Sequence, residues 1–112
     1  LVNNYLTPVG VNLKAAGALV YTAPVGTSTM LIVYFSNVDV ANRKLNAYLH
    51  TGALPAAGVA RDALAITAKD FTLVREGQLQ AGPFYLTTGY KVTAFSDVDD
   101  KITAVPVGVE TT

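Results

Sequence analysis

Cysteine is absent from this sequence. Zinc ribbons, redox CxxC pairs and cysteine nucleophiles are thereby excluded, and the fold must hold without disulfides. The absence is neutral as to compartment, because cysteine-free domains occur in reducing and oxidising settings alike. Charge is scarce too. Only 14% of the residues are Asp, Glu, Lys or Arg, and the eight acidic and eight basic side chains cancel, against a charged share of about 25% in ordinary soluble domains. With no basic excess or stripe to neutralise phosphates, a nucleic-acid partner is not expected. Near-zero net charge instead favours association with another surface.

Long apolar runs are missing as well. The longest, MLIVYF at Met30 to Phe35, falls far short of the roughly 20 residues of a membrane-spanning helix, so no membrane partner is expected. The opening LVNNYLTPVG has no basic stretch ahead of an apolar core, so no signal peptide is expected there. A chain that starts at Leu1 rather than Met is expected to have lost a few residues.

What is present is a dense apolar pattern, 51% of 112 residues, enough for one core in one domain. Apolar residues alternate or run on in short stretches broken by Gly, Pro, Asn and Asp, which predicts strands. The longer ones are expected at Ala18 to Ala23, Thr29 to Asn37, Leu45 to Thr51, Asp70 to Arg75, Tyr90 to Ser96 and Lys101 to Glu110. Shorter pieces are expected at Val11 to Lys14, Leu64 to Ala68, Gln78 to Leu79 and Phe84 to Leu86. Pro24 and Gly26 in APVG have the spacing of a type II turn. Val, Ile, Thr, Tyr and Phe dominate the runs and suit a pleated, half-buried surface. The expected class is all-β: an antiparallel β-sandwich or jelly roll in a single domain, with residues 1–10 as an N-terminal arm and 11–112 as the sandwich. The Ala-rich stretch from Leu54 to Lys69 fits this least. A short helix over Arg61 to Lys69 competes there with an extended loop followed by the strand at Leu64 to Ala68, and the closeness of Pro55 and Gly58 favours the loop.

The motifs of catalysis do not assemble. The only histidine, His50, lies at a strand end with no partner indicated, and is expected to be half-exposed on the surface. Ser28, Ser36 and Ser96 are outside any GxSxG, and phosphate-binding GxxxxGK and GxGxxG are absent. The chain is expected not to be an enzyme and to carry no cofactor. The acidic cluster Asp97, Asp99 and Asp100 in DVDDKITAVPVG fails the EF-hand pattern, which needs Gly at its sixth and Glu at its twelfth position. A simpler calcium site there, joined by Asn37 and Asp39, stays open. The competing expectation is a solvated hairpin tip between the last two strands, its Asp side chains capping backbone in Asx turns.

One run departs from simple alternation. In TMLIVYFSN, Leu31, Val33 and Phe35 share one face while Met30, Ile32 and Tyr34 share the other, and both are apolar. Such a strand is either covered on its outer side or forms part of an association surface. The six tyrosines favour the second, since Tyr joins a large apolar ring to a hydrogen-bonding tip.

The order ALVYTAPVGTSTMLIVYFSNVD, a middle strand, then LTTGYKVTAFSDVDDKITAVPVGVE resembles small β-sandwich virion proteins of tailed bacteriophages, over Ala18 to Asn37 and Thr87 to Glu110. Within that group the length and the N-terminal segment resemble the capsid decoration (cement or staple) proteins of short-tailed phages of the epsilon-fifteen type. The resemblance implies a jelly roll on the outer surface of an icosahedral virion, assembled in the host cytoplasm. It also implies that the protein bridges copies of the major capsid protein and forms a homo-oligomer, a dimer before a trimer. On that reading the contact residues are the arm Leu1, Val2, Asn3, Asn4, Tyr5 and Leu6, the strand face Met30, Ile32 and Tyr34, and Leu54 and Pro55 of a clamp loop. Two alternatives remain: a tail or fibre component, and a carbohydrate-binding module with Tyr48, Tyr85 and Tyr90 as its platform.

Overall fold

The computed structural model describes residues 2–112; Leu1, expected in the arm, lies outside the described residues. The strands are β1 (Asn3–Tyr5), β2 (Val11–Asn12), β3 (Ala18–Thr22), β4 (Ser28–Asn37), β5 (Arg43–Thr51), β6 (Phe71–Leu73), β7 (Gln78–Leu86), β8 (Tyr90–Ser96) and β9 (Ile102–Thr111), with one helical turn, α1 (Val59–Asp62), between β5 and β6. The first half of the chain pairs with the second in reverse order. β1 and β2 pair with β9, β3 with β8, β4 with β7 and β5 with β6, all antiparallel. This is one long ribbon whose tip is the β5–β6 connection. Rolling it up brings β4 against β9 and β5 against β8, which closes two sheets of order β1-β9-β4-β7, with β2 also on β9, and β3-β8-β5-β6. The result is a jelly-roll β-sandwich.

The core lies between the sheets and follows the two-residue period of the strands. Leu31, Val33 and Phe35 of β4 and Ile102 and Ala104 of β9 face Leu45 and Ala47 of β5 and Val92 and Ala94 of β8, all of them fully buried. Leu13, between β2 and β3, fills the core edge and is tied there by its N–H to the Ile102 carbonyl. At one end of the sandwich the Asn37 side chain donates to the carbonyls of Leu73 and Ala41, both at 2.9 Å, so the last residue of β4 holds the end of β6.

Several expected boundaries shift. The two pieces at Gln78–Leu79 and Phe84–Leu86 are one strand, β7, with a register shift against β4 between Leu31 and Val33. Gly82-Pro83 fits inside it because β7 is an edge strand, where a missing N–H breaks no ladder. The strand expected over Asp70–Arg75 shortens to β6, and Glu76 turns with φ 56°. Between Leu54 and Lys69 neither expectation holds whole: the loop is interrupted by α1 at Val59–Asp62, which overlaps the competing helix over Arg61–Lys69 only at its first two residues, and the expected strand shrinks to a single bridge. Gly58, at φ 140°, opens the turn of α1, and the Ala-rich sequence completes it. Of Leu64–Ala68 only Ala65 bridges to Tyr48, with Ile66 N–H bonded to the Ala47 carbonyl. Residues 1–10, expected as an arm, include β1, which is the edge strand beside the end of β9.

Two glycines separate steric from conformational need. Gly108 of β9 is paired beside Leu31 of β4, where an added Cβ would collide with the Met30 carbonyl oxygen, whereas Gly26, at φ 77° in the Pro24–Thr27 turn, has open space around it. Gly108→Ala should lower unfolding free energy by about 2–3 kcal/mol and Gly26→Ala by about 1 kcal/mol. Urea denaturation monitored by tyrosine fluorescence checks the order; equal losses would mean that the β4–β9 approach is not tight.

Candidate association face

Antiparallel partners share a face, so the register of the first sheet assembles its outer surface row by row. Tyr5, Val109, Met30 and Tyr85 stand side by side on β1, β9, β4 and β7. Val107 and Ile32 form the next row, then Val105, Tyr34 and Gln80, then Thr103, Ser36 and Gln78. Beyond the first row, Thr111 meets Ser28 and donates its hydroxyl to the Asn3 side chain at 2.8 Å. None of these side chains is charged. Tyr5 and Tyr85 are about four-fifths exposed and Tyr34 is 39% exposed, while Met30, Ile32 and the three valines are half-buried by one another. This is an apolar face with Tyr5 and Tyr85 on its two outer strands and Tyr34 within it, of the kind soluble proteins use for association.

The expected contact residues divide between surfaces. Tyr5, Met30, Ile32 and Tyr34 come together on this face, and Asn3 borders it. Asn4 is paired opposite Glu110, on the other side of β1. Leu6 packs against the core, and Val2 exchanges main-chain bonds with Thr112. Leu54 and Pro55 belong to the β5–β6 excursion over the second sheet, where Arg61 donates Nε–H to the Pro55 carbonyl at 2.6 Å. Sequence reading missed the valines of β9, although their period in TAVPVGV repeats that of β4. Pro106 and Gly108 mark the inward positions and obscured the strand's pattern. The tyrosines of the possible glycan platform are not neighbours: Tyr85 is on the outer face of the first sheet, Tyr48 is buried on the second, and Tyr90 begins β8.

The DVDD segment is not a hairpin tip. β8 and β9 belong to different sheets, so residues 97–101 form a corner that crosses the sandwich. Its carboxylates are occupied. Asp99 accepts the Ala15 N–H at 2.8 Å, Asp100 takes the Lys14 ammonium at 2.6 Å, and Asp97 faces Arg43 at 3.8 Å. Asp100 adopts φ 64°, a left-handed turn that Asp tolerates. Arg43 also binds Asp39, at 2.7 Å, and this pairing with the backbone N–H of Val40 holds the Asp39 carboxyl below its usual range. Asx capping does occur at the other candidate, where Asp39 N–H bonds to Asn37 Oδ1 at 2.9 Å. Among the described residues no group of three or more His, Asp or Glu is placed to share a metal ion.

His50 is buried rather than half-exposed, with its ring held between Gly52 at the start of the β5–β6 excursion and Thr93 of β8. Its Nδ1–H donates to the Gly52 carbonyl at 3.0 Å, and Nε2 accepts from the Thr93 hydroxyl at 2.8 Å. Both ring nitrogens are thus used within the fold. A second buried polar group joins the sheets: Tyr21 of β3 donates its hydroxyl to Glu110 at 2.5 Å and contacts the Thr29 hydroxyl at 2.8 Å. Burial, then the bond to Glu110, pushes the Tyr21 phenol up to about 12. No helix among the described residues is long and apolar enough to cross a membrane. No protein-family profile, curated protein or solved structure matches this jelly roll.

Two outcomes follow from these contacts. Because the folded state holds the Tyr21 proton more tightly than the unfolded chain, its contribution is intact below pH 10 and is lost as pH rises toward 12. A pH titration of urea stability should show a loss on the order of 2 kcal/mol across that window, which Tyr21→Phe removes. Calcium or chelator should leave Tm unchanged, since the DVDD carboxylates already have partners; a rise that grows with calcium concentration would show a bound ion.

Proposed function

We propose that this chain is a structural virion protein that decorates the outer surface of an icosahedral phage capsid and bridges neighbouring copies of the major capsid protein. The observation that carries this reading is the charge-free apolar face of β1, β9, β4 and β7, together with the resemblance of Ala18 to Asn37 and Thr87 to Glu110 to capsid decoration proteins. Jelly rolls serve in capsid and lectin domains alike, so the fold alone leaves function open. The face adds a means. A surface without charge gains by excluding water against another apolar surface, with little polar group desolvation opposing it. Many copies on one shell act together, so each contact need contribute only modestly. As a non-catalytic role, this requires a stiff slab rather than a cleft, and the chain is a slab 45 × 29 × 18 Å across.

Co-sedimentation with expanded shells stripped of decoration tests the reading. Ile32→Glu and Tyr34→Glu, both on the outer face, should each weaken binding at least about tenfold while far-UV circular dichroism and Tm stay close to those of the parent. Full binding by both variants would remove this face from the interaction, and a density map of the particle without this chain on its outer surface would remove the role.

A further inference from the structure

β5 and β6 are neighbours in one sheet, and about two to five residues suffice for such a connection. The chain instead spends residues 52–70 there, nineteen positions at the tip of the ribbon. This excursion is fastened to the sheet at several points. Leu49 N–H bonds to the Leu64 carbonyl and Ile66 N–H to the Ala47 carbonyl, while Asn46 and Asp70 exchange two bonds at 2.9 and 3.0 Å. Between the excursion and the outer side of β5 and β8 lies a cleft of about 380 Å³, within the range of small-molecule sites.

Its chemistry centres on Arg61. The guanidinium carbon stands 5.3 Å from the centre of the Phe95 ring and 5.7 Å from that of Tyr48, over two rings that meet edge to face. Nε is held by the Pro55 carbonyl, and the two terminal NH2 groups have no partner among the described residues. Arg61 is half-buried and makes no ion pair among the described residues, and neither do Lys44 and Lys69, which line the same cleft. The acids on the wall are placed otherwise. Asp97 faces Arg43, Asp70 accepts from Asn46, and Asp62 is exposed on α1.

We propose that this cleft binds an acidic sugar: a hexose-sized ring bearing one carboxylate or phosphate. The oxyanion pairs with the open fork of Arg61, whose planar donors match it in a two-bonded fashion, and Lys44 and Lys69 add charge. The ring hydroxyls meet Asn46, Asp62 and Asp70, which offer both donors and acceptors. Three wall carboxylates disfavour a polyanion such as a nucleotide, and an uncharged sugar leaves Arg61 unanswered. The inference goes beyond the capsid reading and does not depend on it, since the cleft lies on the second sheet and the association face on the first.

Amide chemical shifts of the full chain, titrated with glucuronate, glucose 6-phosphate, glucose and inorganic phosphate, test the assignment. Glucuronate or glucose 6-phosphate should move the amides of Asn46, Gly58, Lys69 and Phe95 and leave those of Ile32 and Val107 in place; which of the two binds more tightly identifies the oxyanion. Glucose and inorganic phosphate should each bind at least about tenfold more weakly, the loss of one charge-assisted or polar half of the contacts. Arg61→Lys should weaken the acidic sugar by about tenfold, and Lys69→Gln, on an exposed side chain that supports no part of the fold, by about threefold. No shifts with either acidic sugar at tens of millimolar, equal affinity for glucose, equal affinity for phosphate alone, or undiminished binding by Lys69→Gln would each overturn the proposal.

Discussion

Everything in this sandwich depends on the ladder between β4 and β9. Its ten pairs run from Asn37 with Ile102 to Ser28 with Thr111, so the partners are 65 to 83 positions apart in sequence. No local contact anticipates it. Loop-closure entropy must be met before any of these bonds form, which places such topologies among slow folders. The ribbon order lessens the problem. β5 and β6 are neighbours at the tip, and β4 has β7, nearer to it in sequence than β9, on its other side. Once β9 is in place, β4 is an interior strand with both edges satisfied, and Leu31, Val33 and Phe35 become the centre of the core.

How much of this could be read from the sequence follows from which interactions are local. The strands of strong period, at Ala18, Thr29, Leu45 and Tyr90, stand within one or two residues of expectation, because alternation and turn residues act over a few positions. What failed needed partners. Whether Gly82-Pro83 ends a strand or bends one depends on β7 being an edge, and whether DVDD closes a hairpin depends on β9 leaving the sheet that holds β8. His50 is buried beside Thr93 of β8, a partner 43 positions away and far beyond a window of neighbours. The candidate face of the first sheet was half legible: Met30, Ile32 and Tyr34 stand out on one strand, while Tyr5 and Val109 join them only through register.

The two sheets present unlike outer surfaces. That of β1, β9, β4 and β7 has no charge, whereas the outer side of β5 and β8 carries Lys44, Arg61 and Asp70 around an aromatic floor. The ribbon explains the division. Its ends and middle form the first surface and have short turns, while its tip lies on the second and is the one place where the connection is long enough to build walls. A broad charge-free face and a small cleft lined by charged side chains thus occupy opposite sides of one thin molecule.

A strand that is apolar on both faces raises a difficulty of its own. Register is fixed by hydrophobic pattern when one face is polar, since a slip of one residue then exposes the core. For β4 and β9 a slip would exchange one apolar set for another, Val105, Val107 and Val109 for Ala104, Pro106 and Gly108. The pattern is a weak guide here, and three specific contacts take its place. Gly108 is the residue that allows the Met30 carbonyl to lie against β9, so a side chain moved into that position is rejected by steric overlap. Glu110 reaches inward to Tyr21 beside Thr29, and a one-residue shift would carry its carboxylate to the apolar outer face and leave the buried phenol without its acceptor. Asn37 closes the other end through its bonds to Leu73 and Ala41, which any displacement of β4 would break. Asn37 and the Tyr21–Glu110 pair therefore sit where the apolar pattern is ambiguous, at the two ends of β4, and the charge-free outer face is compatible with a single register because of them.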